Sequence, residues 1–368
     1  MIIDTHARLS QLREKMAENE VELVAVGPGS HMQWLAGFFP HPDERACLLL
    51  VSQNGAAFLM PELSVEASLS LTDLPFFSWA DENGPEMALG KALDSLQATG
   101  AKSVALDETM RADFAMLVLD ALPNDVHREF TPNTLGALRM RKSSDEFTLL
   151  KQSALVADSA MKTAFSQVKP GMTESQIADV IKAHFTSHGA SPLFWIVGAS
   201  ENGAFPHHSV SERVVKQGDA IVVDIGARKA GYPSDITRMI VLGEPTAKYR
   251  QVHDIVEQAV QAALAACKPG VLAKDVDAAA RDVITQAGFG DYFVHRTGHG
   301  LGIDGHEPPY ITKTAETVLD EGMVFSIEPG IYLPGEFGVR LEEIVIMRAD
   351  GAEIFSELPR AEHVVKCD

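Results

Sequence analysis

Residues 222–238, VVDIGARKAGYPSDITR, read as a strand, a turn and a second strand. Each arm carries one aspartate, Asp224 and Asp235, in an apolar or β-branched setting. With the turn centred on Lys229–Ala230, Asp224 is expected to face Asp235 directly. Opposed residues bring their Cβ atoms to about 5 Å, where like charges destabilise the pair. Either one carboxyl holds a proton or a cation lies between the two. A bulge that turns one aspartate to solvent is the bland arrangement. The design recurs over 326–347, SIEPGIYLPGEFGVRLEEIVIM, where a turn near Gly335 sets Glu328 opposite Glu342. Strand alternation does not choose between Glu342 and Glu343, because both faces of that arm carry apolar residues; the hairpin register chooses Glu342. Two hairpins that each oppose two acids among apolar residues point to a cation site. Oxygen-rich clusters suit Mn²⁺, and one imidazole widens the choice to Co²⁺, Fe²⁺ or Zn²⁺.

Histidines flank both hairpins. HRTGHGLGIDGHE holds His295, His299 and His306, and AFPHHS holds His207 and His208. A lone histidine in a glycine-rich loop is commonly structural or exposed. Five of the thirteen in two short loops beside the acid hairpins favour a site.

The elements that must carry these residues follow from pattern. Residues 4–19 have helical spacing, 21–27 read as a strand, and a mixed α/β pattern continues to about residue 130 with helices near 85–98 and 109–121. A Pro/Asn/Thr/Gly cluster and a basic patch follow. Then Ser143 or Ser144, ahead of Asp145 and Glu146, opens a long amphipathic helix. The expected organisation is a first domain over 1–133, a linker over 134–144 and a second domain over 145–368. Lys-Pro-Gly followed by a helix occurs at 169 and again at 268, which hints at an internally duplicated second domain.

Bulk composition narrows the function classes. The 368 residues favour two domains, and 46% hydrophobic with 22% charged is ordinary globular material. Thirty-one basic against 51 acidic residues give a net charge of −20, which argues against nucleic-acid or membrane-surface partners. Cys47, Cys267 and Cys367 are scattered and odd in number, so a reducing, cytoplasmic setting is expected rather than a disulfide framework. The opening residues do not read as a signal peptide, and no apolar run is long enough to span a bilayer. VGASENG lacks the second glycine of a nucleophile elbow, and TGHGLGIDG has no P-loop Lys-Ser/Thr.

PHH, DIGARKAGYPSDITR, TGHGLG…GHE, EPGIY and GVRLEE, in this order and spacing, resemble the pita-bread metallopeptidases, family M24: methionine aminopeptidase, Xaa-Pro aminopeptidase and prolidase. HMQWLAGF at 31–38 resembles a segment of the creatinase-like domain in the proline-specific branch. The resemblance implies an α/β (α+β) chain, with a creatinase-like N-terminal domain followed by a pita-bread catalytic domain. It implies two divalent ions, Mn²⁺ first among them, on Asp224, Asp235, His299, Glu328 and Glu342, with Asp235 and Glu342 bridging. A metal-bridging hydroxide would cleave the bond between an N-terminal residue and proline, as in an Xaa-Pro aminopeptidase or dipeptidase. His207 and His306 would contact substrate or oxyanion, Glu328 would shuttle the proton, and His295, Tyr332 and Arg340 would orient ligands. A homodimer acting on small peptides with proline second is implied too.

Three departures matter. Glu343 stands where the family usually has aspartate, and His208 where many prolidases have glycine. Tyr310 stands where prolidases often carry an arginine that reads a dipeptide's carboxylate. Lys313 is the sole basic residue of 305–330, and Arg45 is a candidate supplied by a partner. Cleavage of tripeptides and longer chains at least as well as dipeptides is therefore expected. The alternative is a hydrolase or lyase of a small osmolyte-like compound on the same metal site, since fold does not dictate substrate. Metal-free creatinases and catalytically dead relatives lack ligands that this chain retains.

Overall fold

The computed structural model describes residues 4–367; residues 1–3, part of the opening read above against a signal peptide, and Asp368 lie outside the described residues. Contacts divide the chain into two units, Met1–Arg139 and Met140–Asp368. In the first, the Asp4 carboxylate caps α1 (Thr5–Glu18) by accepting the Ala7 amide. Then come β1 (Leu23–Val26), α2 (Ser30–Ala36), β2 (Leu48–Ser52), β3 (Gly55–Pro61), α3 (Glu62–Ser68), β4 (Phe76–Trp79), α4 (Glu86–Ser95), β5 (Ser103–Leu106), α5 (Ala112–Asp120) and β6 (His127–Phe130). The strands form one mixed sheet in the order β4-β3-β2-β1-β5-β6. Its core is aliphatic, with Leu23, Leu48, Leu50, Leu59 and Val104 packed against Leu89 and Leu93 of α4 and Val118 of α5. The connection expected over 134–144 is helical in its first part: a π-helical turn, Pro132–Gly136, runs into α6 (Ala137–Met140).

The second unit opens with α7 (Ser144–Gln167), and Ser143 is its cap, paired reciprocally with Glu146. α8 (Glu174–Ser187) starts the same way, with Thr173 and Gln176. β7 (Ser191–Ala199), β8 (Ala220–Lys229), β9 (Tyr232–Pro233) and β10 (Ile236–Leu242) follow, then α9 (Ala247–Ala266) and α10 (Ala273–Gln286). β11 (Gly298–Gly300), β12 (Glu307–Ile311), β13 (Val324–Ile327), β14 (Gly330–Leu333), β15 (Phe337–Arg340), β16 (Glu343–Arg348), β17 (Gly351–Ile354) and β18 (His363–Val365) complete it. The sheets are β18-β10-β8-β7, with β9 on β8, then β12-β11-β13-β16-β17, and the ribbon β14-β15. Ile221, Val223 and Ile225 of β8 pack with α7 and α8, so alternation turns Val222 and Asp224 to the other face.

The two Lys-Pro-Gly segments occupy matching places. Gly171 (φ +93°) donates to the Val215 carbonyl, and Gly270 (φ +92°) donates to that of Leu319, at 2.9 and 2.8 Å. Thr173 bridges Val214 as Leu272 bridges Val318. Each half thus has two helices followed by strands, and each supplies one acid hairpin.

The first hairpin differs from its expected register. Lys229 pairs with Tyr232, and Asp224 faces Thr237 rather than Asp235. The turn is Ala230–Gly231, with φ +49° and +88°, one residue later than expected. Two successive positive φ values suit the right-handed twist of a hairpin, and glycine accepts one without strain. Continued through Ser234, whose amide bonds the Ala227 carbonyl at 2.8 Å, the register sets Asp235 level with Gly226, diagonal to Asp224 on one face. The second hairpin keeps its expected register. Gly330 pairs with Arg340 beyond the break and Ile327 with Glu343 before it, so Glu328 and Glu342 meet at the interruption. Among the described residues no helix is long and apolar enough to cross a membrane.

Candidate active site

Asp224 lies within β8, Asp235 just ahead of β10, His299 at the centre of β11, Glu328 just after β13, and Glu342 between β15 and β16. Glycines flank His299 for a steric reason: a Cβ at Gly298 would sit 1.9 Å from the Ser326 carbonyl oxygen, and one at Gly300 2.3 Å from that of Pro308. The His299 amide donates to Ser326 Oγ, which itself donates to Glu328. His299 Nε2 is 3.3 Å from Glu328 Oε1 and 3.8 Å from Asp235 Oδ2. Ligand atoms of Asp224, Asp235 and Glu342 lie within 4.8 Å of one another, as do those of His299, Glu328 and Glu342. Glu343 points elsewhere, held by Arg238 and Arg360 at 2.8 and 3.1 Å.

Burial, then the neighbouring charge of Glu342, raises the Asp235 carboxyl well above its ordinary range. Burial and Glu328 do the same to Glu342, and burial moves Glu328 up to about 7. His299 goes the other way, down to about 3, through burial and then His306. Its Nδ1 donates to the Gly300 carbonyl, so the Nε2 lone pair faces the carboxylates bare. Asp224 Oδ1 is buried without a hydrogen-bond partner. A neutral imidazole lone pair, an orphaned carboxylate oxygen and mutually repelling acids share one need: positive charge between them. Thr237 and Ser326 hydroxyls orient Glu342 and Glu328 without neutralising either. Oxygen donors with one imidazole fit divalent cations.

Behind the acids runs a relay. Arg340 bonds Asp224 Oδ2 at 2.6 Å and the Tyr332 hydroxyl at 2.7 Å; Tyr332 donates to His295 Nε2 at 2.8 Å; His295 Nδ1 donates to the Arg296 carbonyl. His295 is held neutral, near 3, by burial and then Arg340. Tyr332 is the buried middle member of this relay and is not among the residues lining the cavity. That cavity, about 800 Å³, is lined by the apolar Phe194, Trp195, Ile196 and Val210 as well as the acids, and by His207, His208, His306 and Arg296. Arg296 donates to His306 Nδ1 at 3.0 Å, which leaves the proton on Nε2. Arg45, a sequence candidate for a carboxylate clamp, is consumed by Asp43 and Asp81.

Sequence reasoning missed Glu174. Its fully buried carboxylate accepts from the Ala199 and Ser211 amides, Asn202, the Ser211 hydroxyl and His208 Nε2. It therefore pins the 199–211 loop that presents His207. A glutamate in a first helical turn reads as an ordinary dipole partner, so no pattern marked it. Glu174→Gln trades an acceptor for a donor facing donors, and is expected to cost about 1–3 kcal/mol of stability. The denaturant midpoint reads this; an unchanged midpoint would mean the loop re-pairs with water. Arg296 and Thr237 were also missed, although both lie inside the quoted motifs.

Residues 148–349 match the model of metallopeptidase family M24, and residues 8–141 that of the creatinase/prolidase N-terminal domain. The chain is 36% identical over 359 residues to the probable dipeptidase PepE of Mycobacterium tuberculosis, covering 96% of this chain and 94% of that one. It is 32% identical over 355 residues to the Xaa-Pro dipeptidase of Pyrococcus furiosus, covering 96% and 98%. The crystal structure of dipeptidase PepE from Mycobacterium ulcerans superposes with a TM-score of 0.93 at 34% identity, covering 99% of this chain and 98% of that one. Family-model matches over both units and near-complete coverage by relatives above 30% identity agree with the acid-and-imidazole geometry: the chain belongs to metallopeptidase family M24, with a creatinase/prolidase N-terminal domain ahead of its catalytic unit.

Proposed function

We propose that the chain is a metal-dependent dipeptidase that hydrolyses the bond between an N-terminal residue and proline. The observation that carries this is the convergence of four acids and a neutral imidazole in one cavity that two further histidines, His207 and His306, also line. Asp224, Asp235, His299, Glu328 and Glu342 would hold two divalent ions, with Asp235 and Glu342 shared. When bound, the ions acidify water and polarise the scissile carbonyl. Glu328 would take a proton from the attacking water and pass it to the leaving proline nitrogen. His306 offers its Nε2–H to developing oxyanion charge, and His207 offers a second donor from the facing loop. Arg340, Tyr332 and His295 hold Asp224 in place.

A dipeptidase must read a free carboxylate close to the scissile bond, which calls for a fixed cation. Of the two arginines lining the cavity, Arg340 is spent on Asp224, Tyr332 and Thr237. Arg296 stacks 4.8 Å over the Tyr310 ring and spends one N–H on His306. It is a preorganised fork beside Tyr310, where the family resemblance places a carboxylate-reading arginine. This replaces the expectation of longer peptides, which weighed Lys313 and Arg45 but not Arg296; the dipeptidase names of the relatives support a dipeptide substrate.

The test compares kcat/KM for an Xaa-Pro dipeptide and its C-terminally extended tripeptide. The dipeptide is expected to lead by about tenfold or more, the worth of one charge-assisted pair, and Arg296→Met should erase the lead. A tripeptide cleaved equally well sinks the dipeptidase reading. Hydrolysis of neither, with metal loaded, favours the osmolyte alternative. The same proposal takes Mn²⁺ as the working ion, a homodimer as the assembly and a reducing cytoplasm as the setting, the last consistent with three free cysteines.

A further inference from the structure

The loop that carries His306 is held from beneath by charge. Lys142, just ahead of α7, sends its ammonium to Glu307 Oε1 at 2.7 Å, and the two side chains are only 1% and 5% exposed. Its backbone is anchored: the Lys142 amide donates to the Gly322 carbonyl at 2.8 Å, and Arg141 bridges Met323. Glu307 Oε2 accepts the Asp304 amide. A Cβ at Gly302 would stand 2.1 Å from Glu307 Oε1, so the carboxylate fills the inside of the 302–307 loop. Arg228 grips the same loop at the Ile303 carbonyl. His306 lines the cavity and Glu307 does not, so adjacent residues face opposite ways, one toward the cavity and one toward Lys142.

We infer that Lys142 is a positioning residue for His306: buried against Glu307, it locks the loop that aims the imidazole into the cavity. This rests on the role given to His306 above. Nothing in RMRKSSDEF suggests it, since a lysine beside a helix cap reads as a solvated charge. A buried charge pair is weak evidence for stability, and in some proteins it selects one geometry over others.

The test is a double-mutant cycle on the full chain loaded with Mn²⁺. Lys142→Met alone takes the ammonium away from a buried carboxylate and can fail to fold, so Lys142→Met/Glu307→Met, which removes both charges, is the working variant. It is expected to keep wild-type metal content, to lose about tenfold or more in kcat through misplacement of one group, and to change KM little. Added to His306→Ala, it should cost nothing further, because the two act through one group. Hydrogen exchange at the amides of 302–306 should quicken by about tenfold or more as the loop opens locally. Wild-type kcat in the paired variant, losses that multiply with His306→Ala, or wild-type exchange protection would each overturn the inference. Wild-type kcat in His306→Ala alone sinks the role of His306, and with it any consequence for rate; the exchange data still decide whether the pair holds the loop.

Discussion

Asp235→Ala is expected to lose metal and turnover together, with kcat down by at least about 10³, the scale reached when a reacting charge loses its main stabiliser. Asp235 is buried, faces the His299 Nε2 lone pair, and shares the 4.8 Å cluster with Asp224 and Glu342. Removing it takes one donor from each of two proposed sites. Unfolding is not the expected cause. Burial and Glu342 hold this carboxyl far above its ordinary range, so in metal-free protein its charge works against the fold. Without metal, the variant should melt no lower than the metal-free wild type. Metal analysis after reconstitution reads the rest: two ions per chain for the wild type, one or none for the variant. A reconstituted wild type that never exceeds one ion sinks the dinuclear reading. A variant that keeps both ions and turnover removes Asp235 from the site.

The hairpins show what was legible and where legibility ended. Around Gly335 one glycine defined the turn, and the pairing of Glu328 with Glu342 followed. Around Lys229–Gly231 three residues competed, and the turn settled one residue later, on Ala230–Gly231. The two-residue shift in pairing kept both aspartates on one face, because strand alternation has period two. Local pattern is enough for α1, α4, α5 and β1, and for the apolar runs ACLLLVS, AAFLMP and SVALD that form β2, β3 and β5. It passed over α2, α3, β4 and β6, which are short; β6, for instance, is the polar HREF, with little periodicity to read. In the site, residues that carry unusual chemistry in plain sight, such as acids among β-branched neighbours, were readable from type and spacing. Glu174, Arg296 and Lys142 were not. Each does its work through a partner 10 to 165 positions away, on another element, and only folding brings that partner near.

His207→Ala separates transition-state contact from metal binding. His207 sits on the loop after Pro206, whose carbonyl accepts from Arg340 at 3.3 Å, and the Glu174 carboxylate fixes the rest of that loop. Its backbone is therefore held from two sides while its exposed ring reaches the cavity. Among the described residues, the sets of close ligand atoms do not include His207. Its removal should leave metal content at the wild-type level. If the ring donates to charge that develops only during attack on the carbonyl, kcat should fall about 10²–10³, the usual worth of one oxyanion donor, with KM changed far less. Steady-state kinetics on the best Xaa-Pro dipeptide, beside metal analysis of the same preparation, distinguish the outcomes. Turnover near normal would make His207 a loop residue without a part in the chemistry. Metal lost in step with activity would move it into the ligand set, and the cavity would then need its oxyanion donors from His306 alone.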